Sequence, residues 1–425
     1  MSDREVPPGG DEAAQEPPAP QEPSEPSAAP EFGPSVAARL AFYQRAGGIV
    51  TPVITALIAF AVGGLVVLAT TGKNPLGTYS AIFNGTGLKW LFPWVTGVER
   101  AQSALYLQQT LLLTVPLILT GLAVAFAFRC GLFNIGGQGQ YLVGSIVAVQ
   151  VGIWFASMPK PAHIFLAVAL AALAGAAWAG IAGILRATVG AHEVITTIML
   201  NWIALWVGSY LVGFGGPLQP HGSSIPASAD VAPSAKLPVF WGDPVLQGLH
   251  IGFFIALGAL VVFWVVLNRT TLGYEVRAVG FNAEAARYGG ISVPRSYFTA
   301  MAISGGFAGL AGAMDLLGWE FHLDLTVVQS SQIGFFGIAV ALLGRNSSIG
   351  IALSALLFGA LLNGTSTRTL DPSVFQPELA GNLTRLIQGL VVLFVGADLL
   401  VVYIWQARRK LRLGARPAQP QKGSA

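Results

Sequence analysis

The amino-acid sequence predicts an all-α membrane protein. Of its 425 residues, 53% are hydrophobic and only 10% are charged. Apolar runs of roughly 20 residues recur along the chain, and this is the length that an α-helix needs to cross the hydrocarbon core of a bilayer. The single cysteine, Cys130, cannot form an internal disulfide, and the five histidines lack metal-ligand spacing. We therefore expect neither a disulfide framework nor a bound metal or other cofactor.

The chain opens with a polar segment, residues 1–38, that is rich in Pro, Glu, Ser and Ala. Such a composition cannot bury enough apolar surface to offset the entropy of ordering, so it predicts a disordered cytoplasmic tail. The pattern of a cleaved signal peptide is absent, and we expect the first span to stay as an anchor. Residues 408–425 form a second, basic cytoplasmic tail, which leaves residues 39–407 as the transmembrane domain.

Apolar runs predict about ten helices in this domain. They cover roughly 49–70, 104–128, 139–156, 163–185, 194–213, 249–267, 297–317, 333–344, 348–364 and 384–405. The stretch 333–344 holds only about a dozen apolar residues before Arg345, so a tilted, broken or re-entrant element is expected there. The predicted number of spans can therefore change by one or two, depending on how residues 333–364 are arranged.

Basic residues predict the orientation of these helices. With the amino terminus inside, fourteen Lys and Arg residues between positions 39 and 416 fall in cytoplasmic segments and six fall in outer loops. Cytoplasmic loops of membrane proteins carry an excess of Lys and Arg, so this bias places both termini in the cytoplasm. The long loops 71–103 and 214–248 then face outward.

The same orientation places the polar segment 268–296 in the cytoplasm, between two apolar spans. Its alanines favour a short helix along the membrane surface, and glycines such as Gly273, Gly280 and Gly290 are expected to bend the chain. Spacing alone favours an ordinary solvated loop. The alternative is a protruding knob that another protein grips, with charged side chains fixing the register.

Uncharged polar residues interrupt the apolar pattern at 131–145, where Asn134, Gln138 and Gln140 lie beside glycines. These are Gly131, Gly136, Gly137 and Gly139. Polar, irregular backbone within a membrane is tolerated only when it faces protein or water. These amides are therefore candidates for the pathway of a neutral, hydroxyl-rich solute. The other interpretation, that they join helices to one another, stays open.

A second polar cluster follows at 193–202. Thr197 and Asn201 are four residues apart and share one helix face, so both could line the same wall. Trp202 could stack against a flat base or sugar ring. Glu193 lies near the cytoplasmic end of its span, where we expect it to pair with Arg186 rather than to contact a solute.

Two acids, Asp315 and Asp398, interrupt apolar spans, and an intramembrane acid is a functional candidate by default. They support a proton-coupled secondary transporter as an alternative function. Asp315 sits late in its span and is expected near the outer interface. Within the same span, Gly305 and Gly309 have GxxxG spacing, which predicts a seam where helices approach closely.

Three separated runs resemble one known family. RAVGFNAEAARYGGIS (277–292) resembles the coupling loop of permease subunits in ATP-binding-cassette importers for sugars and branched-chain amino acids. GLFNIGGQGQYLVGS (131–145) and HEVITTIMLNWIA (192–204) are similar to the nucleoside and simple-sugar branch of that superfamily. The resemblance covers about residues 45–405 and leaves out the acidic, Pro-rich tail.

This resemblance implies a type II-like importer permease fold of about ten helices in a multi-pass protein of the bacterial cell membrane. It implies three partners: a separate ATPase, a second permease that is identical or paralogous, and an extracytoplasmic substrate-binding protein. The chain lacks a GxxxxGK[ST] phosphate loop, so the ATPase chain would bind and hydrolyse ATP. The residues expected to couple to that ATPase are Glu275, Arg277, Gly280, Asn282, Ala285, Ala286, Arg287 and Gly289.

The resemblance favours nucleosides as substrate, and simple sugars remain the alternative. The spans contain no paired basic residues, which argues against an anionic substrate such as a phosphate ester. The residues expected along the substrate pathway are Asn134, Gln138, Gln140, Thr197, Asn201 and Trp202. A passive channel or a receptor scaffold would need no ATPase and would work without nucleotide.

Overall fold

Helices follow one another along nearly all of the chain that the computed structural model describes, namely residues 57–69, 72, 74–243, 248–366 and single positions between 382 and 393. The helices are α1 (Leu57–Ala69), α2 (Pro75–Gly85), α3 (Gly97–Arg129), α4 (Gly137–Trp154), α5 (Lys160–Val189), α6 (Glu193–Val212), α7 (Gly252–Arg269), α8 (Thr271–Phe281), α9 (Ala283–Tyr288), α10 (Val293–Asp315), α11 (Leu325–Ser330), α12 (Ile333–Leu343) and α13 (Ser348–Gly364). A 3₁₀ turn covers Leu88–Leu91, and β1 (Val239–Trp241) pairs antiparallel with β2 (Leu249–His250).

The centre of the fold is built on α3 and α10. In the most apolar window of α3, 83% of the residues are buried, against 28% for α5. Around this centre, α3 packs on α7, α10, α12 and α13, whereas α4 lies against α5, α6 and α10. A helix that is apolar all round and buried on most sides belongs in the interior of a bundle.

The predicted seam of small residues joins α10 to α5. Backbone of Gly305 lies against Gly175 and Ala179, and that of Gly309 lies against Ala171 and Gly175. Without side chains between them, two helix backbones can come close enough for van der Waals contact along their length. The prediction of a packing seam at Gly305 and Gly309 is confirmed.

Two helices are interrupted where the sequence is polar. After Asp315, the chain makes a π-helical turn, Leu316–Glu320, and Phe321 then takes a left-handed conformation with φ 64°. Further on, Ser331 and Gln332 separate α11 from α12, so the stretch around 333–344 is a broken helix, one of the three forms expected. Non-helical backbone at such points is tolerated when it is covered by protein.

An outer strap, defined here as residues 226–237, covers the π-helical turn and the chain after it. Its backbone forms hydrogen bonds of 2.8 Å from Val231 N to Phe321 O and 2.9 Å from Leu237 N to Leu317 O. Ser228 N also donates to Leu323 O at 2.9 Å. These bonds satisfy backbone groups that the interrupted helix leaves open.

Six helical segments in the described part of the chain are long and apolar enough to cross a membrane, and Leu57–Ala69 and Ser348–Gly364 are shorter apolar helices. The chain is thus a multi-pass membrane protein, and the total of about ten spans stays a prediction. The tails 1–38 and 408–425, Asp398 and nearly all of the span 384–405 lie outside the described residues. The proposed domain boundaries also remain predictions.

Candidate functional site

The amides predicted in 131–145 form a buried network at the start of α4. Asn134 donates from Nδ2 to Gln140 Oε1 at 2.9 Å and to Ser304 Oγ at 2.8 Å. Its Oδ1 accepts from Gly136 N at 2.8 Å and from Gln140 Nε2 at 3.0 Å. Ser304 Oγ in turn donates a hydrogen bond to Ala123 O at 2.5 Å. The network ties α4 to both central helices.

Asn201 on α6 holds the same turn from the other side. Its Oδ1 accepts from Gly139 N at 2.8 Å, and its Nδ2 donates to Ile135 O at 2.9 Å. Gln138 reaches α12, where its Oε1 accepts from Gly334 N at 2.9 Å. Among the described residues, the buried Nε2 of Gln138 has no hydrogen-bond partner. Because a buried unpaired donor is costly, Gln138 is the amide best placed to receive an added acceptor.

The other two predicted pathway residues, Thr197 and Trp202, differ in position. Thr197 is fully buried and donates to Glu193 O of its own helix at 2.8 Å. It lies beside Gly136, so it belongs to the region of the amide network. The side chain of Trp202 is 55% exposed on another face of α6. The fold thus brings five of the six residues together and leaves Trp202 apart. Contact with a solute stays a prediction for all six.

The segment 268–296 contains two short helices rather than one. Thr270 caps α8 by accepting from Gly273 N at 3.1 Å. Asn282 ends α8 and caps α9, because its Oδ1 accepts from Glu284 N and Ala285 N, both at 3.0 Å. Gly273 and Gly280 lie within α8, so the break falls at Asn282 and not at these glycines. Asn is among the preferred N-cap residues, and that is the physical reason for the break.

The helices α8 and α9 together are called the knob here, and its base is fixed to the end of α3. Gly280 lies so close to Arg129 O that a Cβ at this position would overlap it, and Cys130 lies next to it. Ala286 is buried, whereas Ala285, Arg287 and Gly289 are exposed. In the part of the chain that the structure describes, Glu275, Arg277 and Arg287 form no ion pair.

Two aromatic residues of the knob were not among the predicted coupling residues. Phe281 is 90% exposed and Tyr288 is 95% exposed, one at the end of α8 and the other at the end of α9. Exposed aromatic side chains between charged ones are typical of protein interfaces. The signal was present in the sequence, since these are large aromatic residues in an otherwise small-residue and polar segment.

Glu193 pairs with Arg186, as predicted. Arg186 Nε lies 3.5 Å from Glu193 Oε2, and the guanidinium also lies 5.7 Å from the centre of the Tyr297 ring. The pair joins the end of α5 to the start of α6 across the turn between them. Glu193 is therefore engaged with protein at this position.

Asp315 lies inside the bundle, where it is only 4% exposed. Its two carboxylate oxygens accept from the hydroxyl of Tyr141 on α4 and from Nε1 of Trp319 in the π-helical turn. The expectation that it lies near the outer interface concerns its depth in the membrane and stays a prediction. A buried carboxylate needs such donors, and here they fix the position of Trp319.

A cavity of about 190 Å³ lies beside Trp319. It is lined by Gln109, Leu112, Leu113, Trp319, Leu362, Asn363 and Ser366. None of these side chains carries a formal charge, so the space suits a neutral ligand. Asn363 is held firmly, because its Nδ2 donates to Gly85 O, Tyr106 O and Thr110 Oγ1 at 2.8–3.1 Å. The polar end of the span at 348–364, with Asn363 and Ser366, is a candidate entrance from the sequence, whereas Gln109 and Trp319 are not predicted from it.

Comparison with known proteins gives a consistent set of relatives. The family described as branched-chain amino acid transport system permease component matches residues 106–396. A guanosine ABC transporter permease of Bacillus subtilis is 37% identical over 86% of this chain and 98% of its own length. A glucose ABC transporter permease of Haloferax volcanii is 36% identical over 81% of this chain and 86% of its own length. A nucleoside ABC transporter permease of Lactococcus lactis is 32% identical over 88% of this chain and 97% of its own length. No solved structure matches the chain.

Proposed function

The chain belongs to the family of branched-chain amino acid transport system permease components, and on this basis we propose that it forms the pathway by which an ABC importer carries nucleosides across the cell membrane. It is a transport subunit and not an enzyme. The proposal needs a separate ATPase, a second permease and an extracytoplasmic binding protein as partners.

The observation that carries this proposal is the two-helix knob, α8 with α9. It lies between the long apolar helices α7 and α10, and it ends in the exposed rings of Phe281 and Tyr288. With both termini in the cytoplasm, the knob faces the side on which ATP is hydrolysed. A soluble ATPase could close a groove over these rings, and charged residues such as Arg277 and Arg287 would set the register.

Nucleosides are favoured as substrate because relatives at 37% and 32% identity carry the names of guanosine and nucleoside permeases. A relative at 36% identity is named for glucose, so a simple sugar is the second candidate. The uncharged cavity beside Trp319 supports a neutral solute of either class. Asp315 is already bonded to Tyr141 and Trp319, and this gives a proton-coupled mechanism less support.

The mechanism follows from the knob's attachment to α3. ATP binding would draw two ATPases together, each moving one knob, and α3 would carry that movement into the bundle. Such coupling works only if the ATPase holds the knob more strongly in one state than in the other. The buried amides near Asn134 would then line or brace the pathway as it opens.

Uptake of labelled nucleosides and sugars by cells with and without the chain tests the proposal. We expect nucleoside uptake that needs the chain and survives collapse of the proton gradient while ATP is maintained. Phe281→Ala combined with Tyr288→Ala should lower uptake at least tenfold, because central aromatic contacts at an interface contribute about 2 kcal/mol or more.

Trp206→Leu is the matched control, because it removes a 63% exposed aromatic ring from α6, outside the knob. Its uptake should stay close to that of the unaltered chain. Uptake that disappears with the proton gradient and ignores the double substitution would contradict the proposal.

A further inference from the structure

The cavity beside Trp319 is well separated from the knob. Gln109 and Leu112 line it from the first half of α3, whereas the knob contacts Arg129 at the far end of the same helix. At 1.5 Å per residue, the 20 residues between Gln109 and Arg129 span about 30 Å. The cavity and the knob thus lie near opposite ends of one buried helix.

Trp319 is fixed before any ligand arrives. Its Nε1 donates to Asp315, whose other oxygen accepts from Tyr141, and both of these partners are buried. With its nitrogen already engaged, Trp319 offers a ligand its aromatic surface. A rigid ring loses little conformational entropy on binding and is well suited to stacking. The π-helical turn that carries it is an interruption often found at functional sites.

Gln109 supplies one of the polar groups of the cavity, together with Asn363 and Ser366. It is partly exposed, and in the part of the chain that the structure describes its amide makes no hydrogen bond. A glutamine amide has an oxygen acceptor and two N–H donors, so it matches a ligand edge that carries a donor beside an acceptor. Nucleobases carry such edges, and a glutamine can bind one edge of adenine through two hydrogen bonds.

The size of the cavity limits what enters it. A cavity of about 150 Å³ accommodates a benzene molecule, and this one measures about 190 Å³. The space therefore suits one flat ring system and not a whole nucleoside. The remainder of a nucleoside would project beyond the lining residues.

We propose that this cavity binds the base of the transported nucleoside, with Trp319 stacking on the ring and Gln109 bonding to its edge. Asp315 and Tyr141 are positioning residues, since they act by fixing Trp319. The inference rests on the proposed function and names residues that give the permease its own selectivity, separate from that of the binding protein. A sugar without a base would lack both the flat ring and the matching edge.

Photolabelling of the purified importer tests this site. The complex is isolated through a tag on the full-length chain, without binding protein, and irradiated with radioactive 8-azidoadenosine. We expect the label in peptides that contain Gln109–Leu113 or Trp319, and we expect excess guanosine or adenosine, but not glucose or ribose, to reduce it.

Substitutions separate the two contacts. Trp319→Leu should lower specific labelling about tenfold, because stacking of a base on an aromatic ring is worth 1–3 kcal/mol. Trp319→Phe should retain most of it, and Gln109→Leu should lower it by a smaller factor. The matched controls are Trp206→Leu and Gln102→Leu, which alter exposed residues outside the cavity.

The outcomes distinguish this inference from the proposed function. If the unaltered chain imports nucleosides but labelling is the same in Trp319→Leu, Gln109→Leu and both controls, the base site is wrong and the proposed function stands. Labelling that glucose displaces as well as adenosine would also overturn the base site. If cells that contain the chain import no nucleoside, the proposed function itself fails.

Discussion

The imidazole of His250 is enclosed between two glycines. It is 1% exposed, its Nδ1 accepts from Gly252 N at 3.1 Å, and its ring lies where a side chain at Gly318 would stand. Burial lowers the pKa of His250 to about 4, because a charged ring would lose its hydration. Protonation of Nδ1 would also break the bond from Gly252.

The low pKa predicts a pH-dependent stability. The unfolded chain binds a proton at His250 near pH 6.5, whereas the folded chain binds it only near pH 4. The contribution of the neutral ring to the free energy of unfolding is therefore complete above pH 6.5 and is lost as pH falls toward 4. The loss is about 2 kcal/mol at pH 5 and reaches about 3 kcal/mol below pH 4. Thermal unfolding of the purified protein at pH 7.5 and pH 5 measures it. We expect a smaller pH effect in His250→Asn than in the control His221→Gln, and equal effects would count against this assignment.

Single residues also show how far sequence reasoning reaches. An amide within an apolar run draws attention to Asn134, but nothing local identifies its partner Ser304, which lies 170 positions away. The sequence predicts stacking at Trp202, and nothing in it identifies Trp319. Only the fold leaves the first exposed and places the second beside a cavity, because tertiary packing and not spacing decides which ring faces which space.

Among the elements, the contact between α5 and α10 allows the sharpest test. A Cβ at Gly309 would overlap Ala171 O and lie 3.0 Å from Gly175 Cα, whereas a Cβ at Gly306 would lie 3.7 Å from its nearest neighbour. We expect Gly309→Ala to destabilise the protein by about 1–3 kcal/mol, as overpacking does. Gly306→Ala on the same helix should have little effect or stabilise slightly. Thermal unfolding of both variants in detergent is the measurement, and similar values would refute the seam.

Element positions are predictable where the pattern is long and apolar. The spans expected at 163–185, 194–213 and 348–364 correspond to Lys160–Val189, Glu193–Val212 and Ser348–Gly364. The segment 268–296 was less predictable, because the break between α8 and α9 depends on one capping side chain, Asn282, and not on Gly273 or Gly280. Gly290, with φ 83°, does bend the chain after α9, as predicted. Glycines mark possible bends, but a helix continues through them when packing on both sides supports it.

At the scale of the whole molecule, α3 connects the knob to the cavity. Gly280 permits the contact between the knob and Arg129 O, since a Cβ there would overlap the carbonyl. We expect Gly280→Ala to move α8 away from α3 and to lower uptake severalfold while ATP hydrolysis by the complex continues. Parallel measurement of uptake and hydrolysis would reveal this.

Gly258→Ala controls for a methyl group added outside the knob, because its Cβ on α7 would have no atom within 4 Å. Equal loss of uptake in the two variants would mean that the contact with α3 is not the transmission. Sequence reasoning located the knob but not its attachment, since Arg129 and Gly280 are about 150 residues apart and share no pattern.

The outer strap has a consequence for local stability. Residues 226–237 and residues 317–325 are joined by backbone hydrogen bonds from Ser228, Val231 and Leu237, and a further bond of 3.0 Å runs from Leu325 N to Pro226 O. Opening either segment breaks the same bonds, so we expect each to protect the other from local opening. Release of the strap would therefore lower the stability of the wall that carries Trp319.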